Sequence, residues 1–480
     1  MTRKHRQSRG SAFITTMWVL IAISGVVLLL ARSMRVEAIA SANRLSQIQA
    51  DAIERGAEQF LCSTVDAEVA TPGSTSTVSM EAQQVGDGYF WVIRPDPDDE
   101  TNRLYGLTDE GGKMDLNTAP LSMLQLLPNI PADVGSSIYN WRGQATSGDG
   151  LGATDSDYEA MNPPYEAKHA LFETTEELTL IRGMTTDLLF GLDKNRDGVV
   201  DTTEMQAGGA TAAVSVDADS SSNRGIFPFV TAYGVKATTS TVSMSVRAVN
   251  VNSASVTSLR TVLQKSVSSG KISQITAALN PGPPARGRPP IPRPVFSSVL
   301  SFAATFAITS AELSPIYTQL TATTAGRGTA TTATIAKINV NTAAKQVLIC
   351  LPGFEDSDVQ AIISHRQQMT TGTDPSDISW LLDAVPTNKI SIAGRYLTGR
   401  SCVFSGDIVA VSPDGRAFRR YRVVIDGSKT PSYVIYRRDL TEWGWPLPAD
   451  IRTAMRSGKA PPDVGAKAGG QTNSLLGKGL

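Results

Sequence analysis

The chain has 480 residues, room for two to four domains, with 44 Lys and Arg against 45 Asp and Glu and a net charge of −1. That balance excludes a protein built to coat nucleic acid. Three scattered cysteines (Cys62, Cys350, Cys402) allow at most one disulfide and show no CxxC metal spacing, and His5, His169 and His365 form no HExxH.

Residues 1–10 are a basic leader, with Arg3, Lys4, Arg6 and Arg9 and no acid. Residues 11–31 follow without one charge. At about 1.5 Å per residue they make about 30 Å of helix, the thickness of a bilayer core. The basic flank predicts a cytoplasmic N-terminus with the rest of the chain outside. A secretory signal has a shorter apolar core and small residues at its far end. Here the candidate cut, between Gly10 and Ser11, precedes the apolar run and would leave the helix on the mature protein. Val36, Ile39, Leu45, Ile48, Ile53 and Leu61 then recur at helical spacing, which predicts one helix over residues 13–62. Its second half must bury an apolar stripe.

Strands are predicted at 89–94 and 102–108, and far downstream at 402–411, 418–425 and 433–438, the last three joined by Ser412-Pro413-Asp414-Gly415 and a turn over 427–431. A sheet drawn from both ends of the chain implies that the middle is inserted. That middle holds a repeat. Residues 113–142 and 337–366 align without a gap over 30 positions with nine identities, among them Asn-Thr-Ala and Leu-Pro. In both, Asn-Thr can cap a helix, the Leu-Pro turn ends it, and a second helix packs back, a helix–hairpin–helix pattern. Residues 249–263 begin similarly but lack the Leu-Pro turn. The boundaries read as leader 1–10, helix 11–62, first strands 63–112, inserted helical domain 113–235, strand segment with a Pro- and Thr-rich insertion 236–335, second helix–hairpin–helix 336–400, C-terminal strands 401–447 and flexible tail 448–480. The class is α+β.

Residues 193–204 (DKNRDGVVDTTE) fit a twelve-residue calcium loop. Asp193, Asn195 and Asp197 supply oxygens at positions 1, 3 and 5, and Gly198 permits the sharp turn. Val199 offers its carbonyl, Asp201 acts through water, and Glu204 closes the shell with two oxygens. The competing reading is a solvated acidic turn. With no partner loop and a poor helix after it, a structural calcium is expected rather than a switch. The hairpins are weak phosphate binders: Pro128 and Pro131 lack N–H groups, and Glu355, Asp356 and Asp358 repel anions. No P-loop or GxSxG is present, and no enzyme is expected.

The leader, the two Asn-Thr-Ala units, residues 172–183 (FETTEELTLIRG) and the ending YRRDLTEWGWP at 436–446 together resemble general secretion pathway protein K, the large minor pseudopilin of type II secretion systems. The resemblance implies a pilin-like fold: a long N-terminal transmembrane helix packed on an antiparallel sheet, with an inserted, mainly helical domain. It implies cleavage after Gly10 and N-methylation of Ser11 by prepilin peptidase. It also implies a single-pass inner-membrane protein with a periplasmic bulk, joined to other minor pseudopilins and the inner-membrane secretion platform at the pseudopilus tip, with no nucleic acid. Most pilins carry Glu at mature position 5; here that position is Thr15, which suits a subunit with nothing stacked above it. A tethered helix–hairpin–helix DNA receptor and a calcium-dependent pilus adhesin are the rival readings.

Overall fold

The computed structural model describes residues 9–73, 78–97, 99–144, 150–207, 223–234, 248–280, 293–323, 335–369 and 374–461. Helix α1 (Arg9–Ala70) is 62 residues long, about 90 Å, and outruns the predicted 13–62 at both ends. Its side chains from Ala12 to Ile39 are exposed. Contact with the rest of the protein begins at Ser46, whose Oγ donates to Asp414 Oδ2 at 2.7 Å. From there Ala50, Ile53, Ala57, Leu61 and Val65, three or four residues apart, are buried.

They pack on a sheet of seven strands among the described residues. The strands are β1 (Gln83–Val85), β2 (Gly88–Pro95), β3 (Arg103–Tyr105), β4 (Thr108–Asp109), β11 (Val403–Val411), β12 (Phe418–Asp426) and β13 (Tyr433–Asp439), in the order β1-β2-β11-β12-β13, with β3 on β2 and β4 on β11. All pairs are antiparallel, with Ile408 opposite Val92 on one side and Tyr421 on the other. Alternation sends Phe90, Val92, Ile408 and Val423 to α1 and Trp91, Ile93, Val409 and Val411 to the opposite face. Gly88 lets α1 come close: a Cβ there would fall 2.2 Å from Ile53 Cδ1 and 2.7 Å from the Val411 carbonyl oxygen. The opposite face is covered by Leu447, Ile451 and Met455. The expected flexible tail at 448–480 is therefore corrected over its first part, where helix Ala449–Arg456 sits on the sheet through two residues one turn apart. Residues 462–480 lie outside the described residues.

The insert repeats one plan three times among the described residues. Each copy opens with a two-residue strand that pairs in parallel with a two-residue strand closing the same copy. The pairs are β5 (Met114–Asp115) with β6 (Val230–Thr231), β7 (Val249–Asn250) with β8 (Leu320–Thr321), and β9 (Ile338–Asn339) with β10 (Leu397–Thr398). Two helices follow the opening strand: Leu121–Leu124 and Ala132–Tyr139, then Val256–Leu263 and Ser269–Leu279, then Lys345–Leu348 and Asp356–Gln368. A 3-10 turn (Phe227–Phe229, Ser314–Gln319, Gly394–Tyr396) leads into each closing strand. One continuous apolar core runs through all three copies.

Two predictions change here. The segment 236–335, expected as a strand and an insertion, holds the middle copy; its most Pro-rich and Thr-rich stretches, 281–292 and 324–334, lie outside the described residues. The Asn-Thr pairs do not cap helices, since Pro120 and Ala344 occupy the N-cap positions without side-chain caps. Instead the asparagine ties its copy shut. Asn117 Nδ2 donates to the carbonyls of Phe172 (3.0 Å) and Ala232 (3.1 Å), and its Oδ1 accepts from Phe172 N (2.7 Å). Asn252 does the same with Phe296 and, more weakly, with Thr323. Asn341 Nδ2 donates to Pro375 and Gly399, but its Oδ1 has no hydrogen bond among the described residues, because proline has no N–H to offer. An arginine fixes the same turn in each copy: Arg142 on Leu116 and Ala119, Arg366 on Ala343, and in the middle copy Arg293 on Val251 and Ala254.

Candidate functional site

The calcium-type loop is an excursion from the first copy. It leaves helix Thr186–Phe190, and its stem is pinned where Leu192 N donates to Asn223 O at 2.7 Å. Residues 193–204 curl so that carboxylates cap their own backbone. Asp193 Oδ1 accepts from Asp197 N (3.0 Å) and Oδ2 from Gly198 N (2.8 Å). Asn195 Oδ1 accepts from Asp197 N (2.8 Å). Glu204 Oε1 reaches back to Lys194 N (2.9 Å) and Asn195 N (3.1 Å), and Asp201 Oδ1 accepts from Glu204 N (2.9 Å). Gly198 has φ +80° and a Cβ there would meet Pro95 Cβ at 2.8 Å, so both turn and packing require glycine. Val199 is buried beside it. Asp193, Asn195, Asp197 and Glu204 are thus gathered at one loop, with Asp201 at its exposed side.

Asp193, Asp197 and Glu204 are all buried, Asp197 to 3% exposure. Burial, then the neighbouring Asp197 carboxylate, pushes the Asp193 carboxyl up to about 7. Burial also raises Asp197, against the pull of Arg103, and raises Glu204. Crowded carboxylates of this kind favour a proton or a cation. The donors are hard oxygens, the type calcium takes, and neither sulfur nor imidazole is among them. Among the described residues no group of His, Cys, Asp and Glu side chains alone converges into a metal cage. The loop reading also needs the Asn195 amide and the Val199 carbonyl, and Asp197 would share its Oδ2 with Arg103 at 2.8 Å.

Residues the sequence did not single out hold the loop on the sheet. Arg420 on β12, with a fully buried side chain, bonds Asp407 through Nε (3.0 Å) and Nη2 (2.7 Å), and donates to the carbonyls of Asn195 and Arg196, each at 2.7 Å. Arg422 adds a bond to Arg196 O at 3.0 Å. The Arg196 guanidinium lies over the rings of Phe190 (4.1 Å) and Trp443 (3.7 Å). The one sequence signal is the run RRYR inside a strand, where alternation sends Arg420 and Arg422 to one face and Arg419 to the other.

Gly10 and Ser11 fall in the first turn of α1. Thr15 Oγ1 donates to Ala12 O at 2.9 Å within the helix. At the turns between paired helices, Asn129 takes φ +58° in the first copy and Gly353 φ +80° in the third. Asp358 accepts from Glu355 N at 2.8 Å, and Lys389 pairs with Asp358 (2.7 Å) and Glu355 (3.2 Å). Carboxylates and their lysines thus occupy the N-terminus of helix Asp356–Gln368. Cys62, Cys350 and Cys402 are all buried.

Residues 114–194, from β5 to the start of the loop, match the family model described as type II secretion system, protein K. Among curated proteins, none matches the chain. Of solved structures, a chain in the crystal structure of the GspK-GspI-GspJ complex from the enterotoxigenic Escherichia coli type 2 secretion system overlays with a TM-score of 0.35 at 13% identity, over 84% of this chain and 99% of that one.

Proposed function

We propose that this chain, which belongs to the type II secretion system protein K family through its first helical copy, is a minor pseudopilin that caps or nucleates the pseudopilus from its tip. The observation that carries this reading is α1, whose apolar first half is exposed from Phe13 to Leu30 while its second half is the packed spine of a sheet domain. One helix of that length and hydropathy fits a single-pass anchor, with the basic leader in the cytoplasm and the bulk in the periplasm. Thr15 brings no carboxylate to the position where a stacked neighbour's amine would seek one, and the insert adds bulk on the side away from the membrane. The partners are then smaller minor pseudopilins and the inner-membrane platform, and nucleic acid is not among them. Purification of full-length protein from membranes should bring down one or two pilin-like proteins in fixed ratio. Long homopolymers of this chain alone, or salt-sensitive DNA binding with no pilin partner, would sink the tip reading.

Two finer points belong to the same reading. Prepilin peptidase cuts after Gly10, leaving Ser11 as a methylated N-terminus. A bulky residue at Gly10 should leave an unprocessed precursor, and a mature N-terminus beyond Ala31 would rule out a retained helix. Asp193, Asn195, Asp197, Val199, Asp201 and Glu204 hold one calcium ion, whose charge offsets the crowding of their carboxylates and stiffens the loop that joins the insert to the sheet.

A further inference from the structure

The turn from β2 to β3 is acidic, with Asp96, Asp98, Asp99 and Glu100, and Arg103 is the first base after it. Local charge alone would pair Arg103 with these acids. Two of them are turned into the hairpin instead. Asp96 Oδ2 accepts from Asn102 Nδ2 at 2.6 Å, and Asp99 Oδ1 accepts from Thr101 N at 2.9 Å. Arg103 reaches across to the calcium-type loop, where its Nη2 donates to Asp197 Oδ2 at 2.8 Å.

The arginines around the loop therefore differ in kind. Arg420 grips Asp407 through two nitrogens and also bonds the loop carbonyls of Asn195 and Arg196. Arg422 and Arg224 bond the carbonyls of Arg196 and Gly198. These contacts hold the loop's backbone and compete with no side-chain oxygen of the loop. Arg103 bonds a carboxylate that the calcium reading needs. Its hold is light: its buried Nε makes no hydrogen bond among the described residues, so the pair is a single bond rather than a fork. Its side chain is 19% exposed, against 2% for Asp197. Strand β3 is three residues long and pairs with β2 alone among the described residues, which leaves the guanidinium a way out to solvent. Asp197 has no such exit, and a buried carboxylate without a countercharge is costly.

We propose that Arg103 is the countercharge that calcium displaces. In the ion-free protein it neutralises Asp197 and keeps the loop folded. On loading, it gives Asp197 up to the ion and swings toward solvent. Arg103 is then an affinity-setting residue and not a ligand: it weakens the site, because the ion must either drive off a like charge or sit beside it. This rests on the calcium reading of residues 193–204 and does not depend on the pseudopilin reading.

The test is calorimetric titration of the full-length protein in detergent with calcium chloride, after chelation, alongside thermal melts in chelator and in about 10 mM calcium. Arg103→Gln and Arg103→Met should each bind calcium at least about tenfold more tightly than the unsubstituted protein. Arg103→Lys keeps the charge and should stay within about threefold. In chelator the Gln and Met variants should melt lower than the unsubstituted protein, and in calcium that gap should close. Equal or weaker calcium binding by either folded neutral variant overturns the role of Arg103 and leaves the calcium reading standing. So does a melting deficit of the same size in chelator and in calcium, or a variant unfolded in both, since each marks a purely structural ion pair. Calcium binding by neither the unsubstituted protein nor the neutral variants removes the loop reading itself, and this inference with it.

Discussion

The sheet and the insert hold themselves together in opposite ways. The sheet is two sets of local hairpins joined by a long-range pair: β2, held locally by β1 and β3, lies against β11, held locally by β12, more than 300 residues away in the chain. Each copy of the insert closes on itself, through one parallel strand pair, one asparagine and one arginine. The two meet where the ends of the insert come side by side. There Asp109 Oδ2 accepts from Asn339 Nδ2 and Thr342 Oγ1, each at 2.7 Å, and β4 pairs with β11. An insertion whose ends are adjacent leaves the parent sheet's register intact. Stability should therefore divide between the two regions, with the 193–204 loop as the added bridge.

The largest expected effect comes from cutting that bridge at the sheet. Arg420→Met should destabilise the sheet by about 3–5 kcal/mol, because Asp407 stays buried with only the longer 3.3 Å pair to Arg422. Urea unfolding followed by tryptophan fluorescence and by helical circular dichroism should then separate into two transitions. A single shared midpoint would make sheet and insert one cooperative unit. Asn117→Ala strands two carbonyls and an amide and should cost about 2–3 kcal/mol, read as faster hydrogen exchange in the first copy with β11 and β12 unchanged. Asn341→Ala should cost less, since its Oδ1 has no donor to lose.

Calcium should sharpen the division from the other side. A site of about 0.1–1 mM affinity, typical outside cells, gains about 1.4–2.7 kcal/mol at 10 mM calcium. The full-length protein should melt higher after calcium is added back to chelated sample, and the double variant Asp193→Ala, Glu204→Ala should lose the shift. No shift in the unsubstituted protein would remove the site. The smallest effect is confined to the third copy. His365 stacks on Trp380 with centroids 4.2 Å apart, and burial lowers its pKa below the ordinary value. The folded form thus takes the proton less readily than the unfolded form. The stability His365 contributes is complete above about pH 6.5 and is lost as pH falls toward its folded pKa. His365→Gln should flatten that acid-side decline, a change in melting temperature of about 2 °C or less.

What the sequence disclosed follows the same division. Strands at 89–94, 402–411, 418–425 and 433–438 were legible because alternation and Asp-Gly turns are local signals, and α1 was legible from its period. The first and third copies showed through Asn-Thr-Ala and Leu-Pro. The middle copy showed only its beginning, 249–263, because its turn lacks Leu-Pro and its fixing arginine, Arg293, comes from beside the Pro-rich stretch rather than from the second helix. The asparagines looked like caps because local sequence cannot show that Phe172 and Ala232 return to Asn117. The loop's oxygens could be read from spacing alone, but its seat on Arg420 and Trp443, more than 220 residues on, could not.

The fifteen residues of α1 from Arg32 to Ser46 have a mechanical consequence. They rise about 20 Å between the end of the apolar run and the first grip of the sheet. Val36, Ile39 and Leu45 lie bare on this neck, Val36 at 62% exposure. A neck of one unbroken helix is a stiff strut. With the apolar run seated in a bilayer, it would hold the wide head clear of the lipid surface and leave lateral clearance for narrower rods beside it, and an axial push at its base would move the head without bending the joint.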